Sequence, residues 1–218
     1  MMHKGRFWEI DLIRGLAVVM MVLFHLAYDL SFFGIYALDI YSGFWFYFAR
    51  ITASIFILLV GVSLVLFASR SVNNGQGELR IKLLKRGTKI FSLGLGITAI
   101  TYILIGKGFI IFGVLHFIGL SIILAYPFLN FKKLNMVMGV IIIAVGLYLQ
   151  NFAFGFPWLL WLGLSPMGFY TVDYFPLLPW FGLVLIGIYL GNALYCGNKR
   201  KVELPDLSSN AFVRPIIL

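Results

Sequence analysis

Charge is scarce in this chain. Of 218 residues, 11% are charged and only 8 are Asp or Glu, where a soluble domain carries about a quarter of its residues as charges. That scarcity excludes an ordinary solvated surface. Cysteine occurs once, at Cys196, which excludes a disulfide or a thiolate metal site built within one chain. Also missing are a serine nucleophile elbow, a phosphate-cradling glycine loop, an HExxH pair and a cysteine cluster, so metal chemistry and nucleotide hydrolysis are not expected.

Apolar sequence fills the space. Hydrophobic residues make up 61% of the chain and the mean hydropathy is +0.99, the composition of an integral membrane protein. Six apolar stretches, at roughly 12–33, 43–69, 88–106, 109–129, 134–152 and 174–196, approach or exceed the length needed to cross about 30 Å of hydrocarbon. No alternating ten-residue barrel pattern accompanies them, so they read as helices. The expected fold is an all-α bundle of about six transmembrane helices, in one domain over residues 1–218. The first run, though preceded by Lys4 and Arg6, is too long for a signal core and is expected to remain as an anchor.

The formal charge of +9 sits in clusters between apolar runs rather than on one folded face. Nucleic acid is therefore not an expected partner. Placing the N-terminus in the cytoplasm puts Lys4, Arg6, the cluster from Arg70 to Lys89, Lys132, Lys133, Lys199, Arg200, Lys201 and Arg214 inside, and only Lys107 in an outer loop. The stretch 70–88, opened by the turn signal Asn73-Asn74-Gly75-Gln76-Gly77, is expected to lie in part along the inner surface against anionic lipid. The stretch 153–173, with Phe154, Phe156, Pro157, Trp158, Trp161, Pro166 and Tyr170, reads as an outer surface or re-entrant segment able to roof a cavity. Gly187 and Gly191, four apart in the last span, are expected to let another helix approach closely.

Against this background the ionisable residues inside apolar runs stand out. Arg14 and His25 are eleven residues apart and Asp29 follows one turn later; at about 100° per residue all three share one helix face. Each is costly in lipid, by about 2.5 to 3.5 kcal/mol on insertion scales, and by default faces protein or a water-filled cavity. Counted from Leu12 at the inner face, His25 lies about 20 Å and Asp29 about 25 Å into the membrane, while Arg50 and His116 each lie roughly 10 Å below the outer surface. Asp173 begins the last span from the same side. Arg14 stands alone at the inner end.

Two histidines, two carboxylates and a guanidinium at one depth suggest a site in the outer half of the bilayer. His25 is the candidate base with Asp29 as its orienter, an i, i+4 pair. Arg50, His116 and Asp173 are candidates for holding substrate or an oxyanion. An enzyme is one reading. A proton-coupled or anion transporter using the same groups, or a non-catalytic membrane subunit, is another, although no internal repeat of the transporter kind is evident.

The segment Arg6-Phe7-Trp8-Glu9-Ile10-Asp11-Leu12-Ile13-Arg14-Gly15-Leu16, followed by Met21-Val22-Leu23-Phe24-His25 and Tyr28-Asp29-Leu30, resembles the opening of prokaryotic members of the heparan-alpha-glucosaminide N-acetyltransferase catalytic-domain family. Phe112-Gly113-Val114-Leu115-His116-Phe117-Ile118-Gly119-Leu120 and the run from Pro179 to Gly191 look like its later motifs, so that the resemblance covers about residues 6–196. The spacing of Arg14 and His25 is also similar to that in bacterial membrane O-acyltransferases. The resemblance implies transfer of an acetyl-like group from cytoplasmic acetyl-CoA or another acyl-CoA to an amine or hydroxyl, on a sugar-like acceptor, at the outer face of a prokaryotic plasma membrane. Arg14 would then stand near the donor entrance and His25 near the chemistry. Membrane lipid and these small molecules are the expected partners, and homo-oligomerisation stays open.

Overall fold

The computed structural model describes residues 7–71, 76–196 and 199–201. The elements are α1 (Trp8–Phe32), α2 (Gly43–Arg70), α3 (Gln76–Leu104), α4 (Val114–Leu124), a short 3-10 turn (Tyr126–Phe128), α5 (Lys133–Leu149) and α6 (Leu177–Leu194). A short antiparallel hairpin of β1 (Tyr195–Cys196) and β2 (Lys199–Arg200) follows. The described residues form two compact units, 7–59 and 60–201, and the boundary falls inside the continuous α2.

In the first unit, α1 carries Glu9 and Asp11 in its first turn, where carboxylates offset the positive end of the helix dipole. It stops at a Schellman motif: the Ile35 N–H donates to the Leu30 carbonyl at 2.9 Å and the Gly34 N–H to the Ser31 carbonyl at 3.1 Å. Gly34 takes the left-handed position with φ +69°, which costs a glycine nothing. The return toward α2 is organised by Asp39. Its carboxylate accepts the Ser42 hydroxyl and the backbone N–H groups of Ser42 (3.0 Å) and Tyr41 (3.2 Å). These bonds, the Ser42 hydroxyl first, hold the Asp39 carboxyl below its ordinary range.

The second unit is built on two helix pairs, α3 with α4 and α5 with α6. Glycines set both contacts. A Cβ at Gly87 would fall 2.7 Å from the Gly119 carbonyl oxygen, and one at Gly182 would fall 2.5 Å from that of Gly139. Small residues at such crossings allow the backbones to touch where side chains would hold them apart. Gly187 and Gly191 serve the expected close approach: a Cβ at Gly61 of α2 would lie 2.8 Å from the Gly187 carbonyl carbon, and one at Gly191 would lie 3.0 Å from the Val65 side chain.

Among the described residues four helices, α1, α2, α3 and α6, are long and apolar enough to cross a membrane, and the chain is an all-α integral membrane protein. Hydropathy alone misplaced two boundaries. The basic stretch set apart from the third span belongs to the same helix: it is the first half of α3, continuous over 29 residues and about 43 Å long at 1.5 Å per residue. Of the expected turn, residues 73–75 lie outside the described residues, and Gln76 and Gly77 already belong to the helix. The fourth stretch, expected to span from 109 to 129, holds a helix of only 11 residues, about 16 Å long.

Extended backbone accounts for the part before α4, and the 3-10 turn Tyr126–Phe128 for most of the part after it. The Val172 N–H donates to the Gly108 carbonyl and the Phe175 N–H to the Phe112 carbonyl, both at 3.0 Å, around a parallel bridge between Phe112 and Tyr174. Non-helical backbone in an apolar setting is tolerated when protein satisfies its hydrogen bonds in this way. The aromatic stretch 153–173 contributes Val172, near its end, to this pairing. It also reaches the start of α6, where the Leu177 and Leu178 N–H groups donate to the Trp161 and Leu162 carbonyls at 2.9 Å.

Candidate functional site

The six residues singled out in the sequence fall into two groups, one in each unit. Arg14, His25, Asp29 and Arg50 belong to the first unit, His116 and Asp173 to the second.

On α1, His25 is exposed and its Nδ1 lies 2.8 Å from the Met21 carbonyl oxygen, one turn back. A carbonyl only accepts, so Nδ1 carries the proton. In the neutral ring Nε2 therefore holds the lone pair, the arrangement a proton acceptor needs. The bond that sets this tautomer comes from the backbone rather than from Asp29. Among the described residues no hydrogen bond or ion pair links the two, and Asp29 is exposed one turn further along. Arg50, near the start of α2, lays its guanidinium over the Phe46 ring at 4.6 Å, which partly compensates a cation in apolar surroundings.

Arg14, expected to stand alone, is paired. Its Nη1 is 3.0 Å from Asp11 Oδ1, with the arginine side chain 47% exposed and the aspartate 15%. The i, i+3 spacing places both groups on one stripe of α1, and the sequence shows this pair as plainly as it shows His25.

In the second unit the structure does bring His116 and Asp173 together, at the N-terminal end of α4. Asp173 Oδ2 accepts the Val114 N–H at 3.0 Å, placing a carboxylate where the helix leaves donors unpaired and its dipole is positive. A Cβ at Gly113 would lie 2.2 Å from that same oxygen, so a side chain there would displace the Asp173 carboxylate. His116 is 2% exposed, lies beside the Phe112 ring with centroids 5.6 Å apart, and meets Phe91 edge-on at 5.2 Å.

Both imidazole nitrogens are engaged. The Gly113 N–H donates to Nδ1 at 3.3 Å, which puts the proton on Nε2, 3.3 Å from Thr98 Oγ1. Thr98 in turn donates to the Ile110 carbonyl at 2.7 Å. The result is a one-way relay from ring to hydroxyl to backbone. With both nitrogens spent inside the fold, His116 has none to offer a substrate; it joins α3, the extended segment and the α4 terminus. Sequence reading missed Thr98 and Thr101, the latter accepting the Ile110 N–H at 3.1 Å. Two threonines one turn apart in an apolar run were the available signal.

Replacing Thr98 by valine keeps the shape but strands the His116 Nε2–H and the Ile110 carbonyl. Each buried polar group left unpaired costs about 1 to 3 kcal/mol. Thr98→Val is therefore expected to lower the thermal midpoint of the detergent-solubilised protein clearly. Thr88→Val, whose hydroxyl is exposed and bonds only to its own helix, is expected to leave it nearly unchanged.

Fold and site together define a multi-pass helical membrane protein with polar and ionisable groups held on otherwise apolar helices. No curated protein and no solved structure matches the chain. The family model described as heparan-alpha-glucosaminide N-acetyltransferase, catalytic, matches residues 6–218. The chain belongs to that family, and the match continues past residue 196, where the visible motifs end.

Proposed function

We propose that the chain is a membrane acyltransferase that moves an acetyl-like group from cytoplasmic acyl-coenzyme A to an amine or hydroxyl of a sugar-like acceptor at the outer face of a prokaryotic plasma membrane. Family membership supports acetyl transfer in a membrane. The observation that carries the residue assignment is the His25 ring, whose Nδ1–H is committed to the Met21 carbonyl, leaving Nε2 to accept a proton. The acceptor nitrogen or oxygen attacks the thioester carbonyl while Nε2 takes its proton. The carbon–sulfur bond breaks, and the coenzyme A thiolate leaves and is finally protonated from the imidazolium.

Asp29, one turn away, supports the imidazolium through its charge rather than by fixing the tautomer. Arg50 is assigned to holding the acceptor or the oxyanion. His116 and Asp173 act as positioning residues for the α4 end, not as substrate ligands. Arg14 is assigned to the donor phosphates, for which a planar guanidinium is suited; the half-exposed ion pair with Asp11 is one that a multiply charged anion can compete for or share.

Acetyl-coenzyme A is expected to raise the thermal midpoint of the solubilised protein, and Arg14→Ala to remove most of that rise while leaving the ligand-free midpoint within a degree or two. Proton-coupled uptake into proteoliposomes without any acyl transfer would favour the transporter reading and overturn this one.

A further inference from the structure

We propose that the inner end of the α3–α4 pair is a binding site for an anionic phospholipid, with Arg80 holding the phosphate and the groove beside it taking the glycerol and upper acyl chain. The groove has a volume of about 280 Å³ and is lined by Arg80, Leu83, Leu84, Ile123, Tyr126 and Pro127.

Helix lengths create the groove. The 29-residue α3 is about 13 Å longer than the hydrocarbon is thick, and the end that overshoots is the one carrying Arg80, Lys82, Lys85, Arg86 and Lys89. Its partner α4 stops at Leu124 and the chain turns off through Tyr126–Phe128. The two helices touch tightly at Gly87 and Gly119; α3 extends past the end of α4, and among the described residues a groove separates Arg80 on α3 from the turn. The turn is rigidly held. Asn135, fully buried, donates its amide to the carbonyls of Phe128 (2.8 Å) and Phe131, and the Tyr126 hydroxyl donates to the Gln76 carbonyl at 3.4 Å.

Charge selects the occupant. Glu78, the acid next to this end of α3, is taken by Lys82 at 2.6 Å, and Arg86 lies over the Phe67 ring at 5.9 Å. Arg80 makes no hydrogen bond or ion pair with any described residue. The site thus presents an uncompensated guanidinium at the rim and an apolar wall with Leu83 buried at its base. The lysine and arginine asymmetry assigns this end to the inner leaflet, whose anionic headgroups are attracted to basic clusters and bind basic pockets between helices. A free phosphate would use the guanidinium and leave the wall exposed to water, whereas a phospholipid satisfies both.

The test uses the full chain, purified in detergent and titrated with phosphatidylglycerol or phosphatidylcholine in mixed micelles, with bound lipid counted by native mass spectrometry and stability followed by thermal shift. Phosphatidylglycerol is expected to be retained and to raise the midpoint, and phosphatidylcholine not. Arg80→Gln is expected to weaken phosphatidylglycerol binding by about fivefold or more, the effect of one basic group at a lipid surface; Lys107→Gln, in an outer loop, is expected to leave it unchanged. Leu84→Trp, which fills the groove, is expected to remove the bound lipid with helical content intact. Equal binding of the two lipids, an Arg80→Gln protein that responds like the parent, or displacement of phosphatidylglycerol by inorganic phosphate or acetyl-coenzyme A at equal concentration would overturn the proposal.

Discussion

His25→Ala is expected to abolish acyl transfer by the purified protein, with a fall in turnover of about 10² to 10⁴-fold, the contribution typical of a positioned general base. The protein should remain folded. His25 is exposed and its ring nitrogen bonds only to the carbonyl four residues earlier, so its removal leaves no buried group unpaired. Circular dichroism and thermal midpoint near the parent values, together with lost transfer from acetyl-coenzyme A, would assign the loss to chemistry. Asp29→Asn is expected to lower turnover less, since the backbone already holds the tautomer. Incubating the parent protein with radiolabelled acetyl-coenzyme A and no acceptor separates two routes: label stays off the protein if His25 acts as a base, and appears on it if the ring carries the acyl group. Undiminished turnover in His25→Ala would remove the residue from the mechanism.

Gly61→Ala is expected to be among the most destabilising single methyl additions in the molecule. Its Cβ would fall 2.2 Å from the Val184 carbonyl oxygen and 2.7 Å from the Ile188 nitrogen, and both are backbone atoms that cannot rotate away. The second half of α2 and α6 would have to move apart, losing contacts along the faces that include Val65 and Gly191. Overpacking of this kind costs typically about 1 to 3 kcal/mol and occasionally more, enough to shift the thermal midpoint by several degrees. Gly96→Ala on α3 is the control, because nothing lies within 4 Å of the added carbon and alanine favours helix over glycine. A Gly61→Ala midpoint equal to that of Gly96→Ala would show that the close α2–α6 approach is not maintained in the protein.

These two residues mark how far a linear reading reaches. His25 was visible because its signal is local: an ionisable side chain in an apolar run, placed by helical periodicity on the stripe that holds Arg14 and Asp29. The ion pair of Arg14 with Asp11 was equally local and was overlooked. Gly61 carries no such mark. It is one glycine among 23, and only the position of the Val184 carbonyl, more than a hundred residues away, separates it from Gly96.

His116 shows the same limit from the other side. Its type and depth made it look like Arg50, a polar group awaiting a ligand. Its actual partners, Thr98, Ile110 and Gly113, come from α3, the extended segment before α4 and the α4 terminus, and together they spend both nitrogens on the fold.

Composition and period were sufficient to establish a helical membrane protein, to mark the strongest spans and to place His25 with Asp29 on one face, because lipid penalises charge and because residues a turn apart must be neighbours on a helix. Long-range packing settled the rest. Extended backbone could replace the expected helix before α4 because residues 172–175 supply hydrogen bonds, the basic stretch became the first half of α3, and a buried histidine became a structural tie. Each of these depends on groups far apart in the chain meeting in space, and such meetings leave no periodic trace in the order of residues.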